Sequence, residues 1–250
     1  LFVWLVVQAL HDLGDSLSLD RFKPLFDAIA ALKSSSPASS LSEAPATPAD
    51  LAKFTRWFSS NSGIINKNVT LASHLAEGTG LIATGPIKEG ELVVSVPIHL
   101  MMTELAAIDS LTTSAPSLKS VISHFPELAL QLMLIKEKHT PGSFWESYIR
   151  VLPKSYTTPL FWSWEEFKEL EGCTGALFDS LKCIRVIAQQ FIYVFEFLQG
   201  AQPGSSDRFI PPTAFTWQEF IWAVSTVMTR KNRVLKPTGM SDGDDGAGAG

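Results

Sequence analysis

Apolar residues recur along this chain at two periods, and each period predicts a type of element. From Leu17 to Lys33, Phe22, Leu25, Phe26 and Ile29 fall three and four residues apart, which is one face of a helix. Leu51, Phe54 and Phe58 form a second such stripe. Its helix starts well, because Thr47 caps it, Pro48 suits the first helical position and Asp50 opposes the dipole. Asn61-Ser62-Gly63 ends it. Val69–His74, Gly80–Thr84 and Glu91–Val96 read as short strands, with turns at Glu77-Gly78 and Lys88-Glu89-Gly90 and a stop at Pro97.

From Pro126 onward the pattern is mainly helical. Glu127–Lys138 is apolar nearly all round, which predicts burial, and Lys136, Lys138 and His139 suit the dipole at its end. Pro141-Gly142 stops it. Phe178–Leu198 reads as a second long helix. Phe215–Lys231 reads as a third, with Thr216 and Glu219 as a capping box and Phe220, Ala223, Val224, Val227 and Met228 as its core face.

Other stretches build no core. Ser34–Ala46 is rich in Ser, Ala and Pro and reads as a flexible linker, and Ala201–Ala214 reads as a polar loop. The Gly- and Asp-rich stretch Pro237–Gly250 is expected to be disordered. Leu1–Leu10 is strongly apolar but meets His11, Asp12 and Asp15 too soon to span a bilayer, so an amphipathic helix is expected, with the tail of a signal-peptide core as the alternative.

Composition narrows the function classes. With 46% hydrophobic residues, 7 Trp and 16 Phe, 250 residues can bury a sizeable aromatic core. A formal charge of −5 gives no basic footprint for nucleic acid. Two cysteines, Cys173 and Cys183, imply neither a disulfide framework nor a zinc cluster. The five histidines are scattered without metal-ligand spacing, so no metal is expected.

Two short motifs carry candidate chemistry. In Glu77-Gly78-Thr79-Gly80-Leu81 the glycines permit positive φ and close approach of backbone to a ligand. Paired glycines between strands are more often a plain hairpin, and no helix follows to make a dinucleotide fingerprint. In Met228-Thr229-Arg230-Lys231-Asn232 the residues alone suit a helix end: Arg230 as a cation on the dipole and Asn232 as a C-cap.

Context changes this reading. Gly80-Leu81-Ile82-Ala83-Thr84, Ile87-Lys88-Glu89-Gly90-Glu91-Leu92 and Val96-Pro97 resemble the first strands of a SET-domain methyltransferase. Ser143-Phe144-Trp145-Glu146-Ser147-Tyr148-Ile149 and Leu152–Leu160 resemble the helical insert of the branch that includes the Rubisco large-subunit lysine methyltransferases and the actin-histidine methyltransferases. Trp222–Asn232, ending in Arg-x-Asn, is most similar to the actin-histidine group. The resemblance runs from about Leu51 to Val234.

It implies an α+β fold, a partial SET domain of short strands with a large, mostly helical insert. The expected divisions are N-terminal helices and linker over 1–50, the front of the SET domain over 51–130, the insert over 131–220, a return to the SET domain over 221–236 and a tail over 237–250. It implies S-adenosyl-L-methionine as cofactor, with Glu77, Gly78, Thr79 and Arg230 in its pocket. It implies actin as protein substrate, with Asn232 holding the target imidazole and Gln190 on the substrate side.

Two departures bear on this. Where the actin-histidine group carries Ala-Arg-Gln-Tyr, this chain has Ala188-Gln189-Gln190-Phe191, so an arginine is replaced by Gln189. The family also continues with an Asn-His motif and a catalytic Tyr. Neither follows Asn232, and Tyr148, Tyr156 and Tyr193 all lie in the insert, so a protein methyltransferase truncated before its catalytic Tyr is expected, which puts the activity of the fragment in doubt. The alternatives are a lysine methyltransferase of the same branch and a noncatalytic, actin-contacting module. A monomer in the cytoplasm, or in the nucleus, completes the expectation, without nucleic acid or membrane as partner.

Overall fold

Ten α-helices and four short strands are formed among the described residues of the computed structural model, which are 2–15, 18–35, 45–75, 78–202 and 204–232. Most of the Ser/Ala/Pro stretch and all of the Gly- and Asp-rich tail lie outside them, as does Glu77.

Two helices form the centre. α6 (Pro126–Lys138) buries Leu128, Ala129, Leu132 and Ile135, and α10 (Trp217–Arg230) buries Trp217 and every residue from Glu219 to Val227. A helix apolar all round must be enclosed, and α10 is enclosed by α6, by α2 (Leu19–Ser35) and by α9 (Thr174–Gly200). α1 (Phe2–Leu13) closes against α2 and α9, and α4 (Glu104–Ser114) against α6. Aromatic rings join the layers. Phe191 of α9 stacks on Phe215 at 5.3 Å and meets Trp217 edge-on at 5.3 Å.

The front half hangs on α3 (Pro48–Ser60). Thr47 Oγ accepts from the Asp50 amide while the Asp50 carboxylate accepts from Thr47, the capping box that the sequence begins to suggest with Thr47 and Asp50. Asn61 caps the far end, and the chain turns tightly at Gly63, where an added Cβ would stand 2.5 Å from the Phe58 ring. β1 (Ile64–Ile65) pairs antiparallel with β4 (Val94–Ser95), and β2 (Val69–Leu75) with β3 (Gly78–Ala83). Asn66 ties the two pairs together, donating to the Glu91 carboxylate and to the Leu92 carbonyl. Leu51, Phe58, Val69 and Leu100 are buried here, outside the main core cluster.

The expected helices are present within about four residues of their predicted ends, α9 starting earlier at Thr174. Three expectations are corrected. The strand predicted over Glu91–Val96 shrinks to Val94–Ser95, because its partner β1 is only two residues long. Met228 is 45% exposed and leaves the core face that Val224 and Val227 keep. Thr216 does cap the Glu219 amide, but the Glu219 carboxylate reaches across to Lys138. α4 and α5 (Lys119–His124) were not legible, and α7 (Glu146–Val151) and α8 (Trp164–Lys168) are short.

Candidate functional site

Gly78, Thr79, Gly80 and Leu81 of the glycine motif lie on β3, one arm of the β2–β3 hairpin. Leu75 faces Gly78 across a register irregularity, and Gly78 has φ +94°, a conformation open to glycine at no steric cost. Nothing lies within 4 Å of where a Gly78 Cβ would stand, so this backbone faces open space. Gly80 pairs with Ala72 under the Leu75 side chain, which leaves room for a Cβ only at 3.0 Å. Thr79 is half-buried beside them.

The second motif lies where α10 emerges from the core. Thr226 and Ser225 are buried and satisfied. The Tyr156 hydroxyl meets Thr226 Oγ1 at 2.8 Å, and the Thr158 hydroxyl meets Ser225 Oγ at 3.0 Å. These bonds fix the helix against the 156–158 loop, and Lys231 pins its end to Glu127 of α6 at 2.5 Å. Arg230 and Asn232 then project into solvent. Asn232 Nδ2 donates to the Arg230 carbonyl at 3.3 Å, a local cap. Among the described residues Arg230 has no hydrogen-bond or ion-pair partner.

Arg230 is close enough to act on Tyr148 of α7. Burial raises the affinity of the Tyr148 phenol for its proton, and the Arg230 charge opposes that rise. The Tyr148 ring packs 6.3 Å from Phe54 of α3, and α3 carries the hairpin. The structure joins Arg230 and Asn232 directly. Arg230 acts on Tyr148, Tyr148 packs on Phe54 of α3, and α3 packs on β2, the strand that pairs with the one carrying Gly78 and Thr79. Gln190 stands elsewhere. Its neighbour Phe191 packs on Trp217 and Phe220 in the first turn of α10, roughly 18 Å from Asn232 at ~1.5 Å rise per residue. Gln190 is half-buried with its Oε1 enclosed and unpartnered, while Gln189 is exposed.

A charged cleft beside this end of the molecule was not read from the sequence. Lys138 donates to both Glu219 oxygens, at 2.9 and 2.7 Å, and lies 4.1 Å from the centre of the Trp222 ring. Burial would raise the Glu219 pKa, but His139 and Lys138 outweigh it and hold the carboxyl below its ordinary value. Lys138 and Glu219 are 81 residues apart, and no local pattern reports such a pair. Among the described residues no group of three His, Cys, Asp or Glu side chains is arranged to hold a metal. None of their helices is long and apolar enough to cross a membrane.

The chain is similar in part to known proteins. No protein-family model matches it. It is 33% identical over 179 residues to the actin-histidine N-methyltransferase of Callithrix jacchus, which covers 72% of this chain and 29% of that protein. It is 32% identical over 179 residues to the Homo sapiens enzyme of that name, covering 72% and 30%. The chain therefore spans under a third of the length of these curated relatives. Among solved structures, the SET domain of LSMT bound to lysine and AdoHcy superposes with a TM-score of 0.58 at 22% identity, over 77% of this chain and 41% of that one. Rubisco LSMT bound to AdoMet gives 0.50 at 24% identity, over 72% and 40%. The fold is that of part of a SET domain, α+β with a large helical insert, and the sequence is similar to the actin-histidine N-methyltransferases.

Proposed function

We propose that this chain serves an S-adenosyl-L-methionine-dependent protein-histidine N-methyltransferase whose substrate is actin. The observation that carries the reading is the exit of α10, where Arg230 and Asn232 emerge together from a buried helix in a chain similar to the actin-histidine enzymes.

The residues fit the cofactor. Gly78 offers an open turn and Arg230 an unengaged guanidinium suited to a carboxylate, and Glu77 and Thr79 flank the turn in sequence. S-adenosyl-L-methionine supplies an activated methyl group on a sulfonium. Transfer is an in-line displacement, so the protein's part is alignment. A histidine acceptor, with a reference pKa near ~6.5, is largely neutral at physiological pH and needs no base to free a lone pair. It needs its tautomer fixed. The Asn232 amide meets that need by bonding one ring nitrogen and leaving the other lone pair toward the methyl group. Its present bond to the Arg230 carbonyl is exposed and worth only ~1 kcal/mol, so it exchanges readily for a substrate. The same reading carries a monomeric, cytoplasmic protein with Gln190 on the substrate side.

The test is methyl transfer to an actin histidine peptide by the protein its full transcript encodes. Asn232→Ala is expected to lower transfer about tenfold or more while changing cofactor affinity little. Equal loss of both would reduce Asn232 to a helix cap. Faster transfer to a lysine peptide than to the histidine peptide would favour a lysine methyltransferase.

A further inference from the structure

The cleft between α6, α7 and the first turn of α10 has a volume of about 900 Å³ and is lined by charged groups that the proposed methyl transfer does not use. Its acids are mostly engaged. Asp50 accepts from the Thr47 amide and hydroxyl and from Arg150 Nε at 3.3 Å. Glu219 takes Lys138, and Glu137 takes the Ser143 hydroxyl at 2.7 Å. Glu146 is exposed.

Four cations face these four carboxylates, and two on each side, Lys53 and Lys154 against Glu137 and Glu146, have no ion pair among the described residues. Arg150 meets Asp50 through Nε, which leaves the outer edge of its guanidinium without a partner among the described residues. Lys53 is exposed on α3 and has no ion pair there. Lys154 is half-buried and donates to the Arg150 and Ile149 carbonyls at 3.0 and 3.5 Å, with no carboxylate in contact. Ile149, Phe161 and Trp222 give the cleft apolar surface that keeps water from screening these charges fully.

We propose that this cleft binds a multivalent oxyanion, held by Lys154, Arg150 and Lys53. The guanidinium fork supplies paired donors for a carboxylate or phosphoryl group, and the two ammonium groups add point charges on either side. The state of Lys154 agrees. Burial, and then the charges of Lys138 and Arg150, lower its pKa to about 8 against the opposing pull of Asp50 and Glu219. An anion in the cleft raises it again.

Calorimetric titration with citrate and with pyrophosphate tests this, one arm for carboxylate and one for phosphoryl sources. Saturable 1:1 binding of either is expected, and Lys154→Met and Lys53→Met are each expected to weaken it about tenfold. Lys182→Gln, an exposed lysine on α9, is expected to leave it unchanged. Arg150→Lys, which keeps the charge on Asp50 and loses the fork, is expected to weaken binding without lowering the melting temperature much. A rise in the Lys154 pKa on binding, read by NMR of the lysine side chain, supports the site independently of folding. No saturable binding by either anion would overturn the proposal, as would equal losses in Lys154→Met and Lys182→Gln.

Discussion

Glu219 shows what a single residue can do that its sequence neighbourhood does not announce. Three positions after Thr216 it looks like a capping partner, yet its carboxylate is 6% exposed and closes on Lys138. Removing one member of a buried pair strands the other. Glu219→Gln is expected to cost about 3 kcal/mol in urea unfolding, and Lys138→Met with Glu219→Leu to recover most of that loss. A cost below about 0.5 kcal/mol would show that the pair is solvated in solution.

Asp50 carries a pH dependence of definite sign. The Thr47 hydroxyl, the Thr47 amide and Arg150 together outweigh burial and lower its pKa from 3.8 to about 2. A depressed carboxylate contributes stability above its unfolded pKa and loses it as the pH falls through the folded value. Stability is therefore expected to drop between pH 3.8 and about 2, and Thr47→Val, which loses the hydroxyl but keeps the amide, to reduce that drop, as read from acid titrations of circular dichroism.

At the scale of elements, legibility followed locality. α3 was readable because its cap, first-turn proline and stripe sit within a dozen residues, and α9 and α10 because their stripes are long. α4 was missed because it buries only Ala107 and Leu111, too few apolar positions to set a period. β4 was over-read because strand length is decided by the partner, and β1 is 64 positions into the chain with two residues to offer. In the site, Arg230 and Asn232 were legible as neighbours on one helix end. Tyr148 beside Arg230, and the separate Lys138–Glu219 pair at the start of α10, were not, since only tertiary packing makes these contacts.

The turn after α3 gives an element-scale prediction. Phe58 is 5% exposed and its ring lies under Gly63, so a methyl group at 63 must displace it. Gly63→Ala is expected to cost about 1–3 kcal/mol by thermal unfolding, and Gly175→Ala, with nothing within 4 Å, much less.

Taken whole, the molecule is a helical core with a lightly built front. The main cluster runs through α1, α2, α4, α6, α9 and α10, whereas the two strand pairs rest on α3 and leave Leu81, Leu92, Val93, Val96 and Ile98 exposed. Two-stranded pairs are marginal alone. Hydrogen exchange is therefore expected to be fast across Val69–Ala83 and slow across Leu181–Val194, and equal protection of both would contradict this division.

Under the proposed function, Gly78 and the exit of α10 hold one S-adenosyl-L-methionine between them. Calorimetric titration of S-adenosyl-L-methionine into the protein and into its Arg230→Met variant tests it most directly. Arg230 is exposed and makes no contact that folding needs, so the variant should melt at an unchanged temperature. An affinity about tenfold weaker in the variant is expected, the loss of one charge-assisted contact. Unchanged affinity in a folded Arg230→Met protein would contradict it.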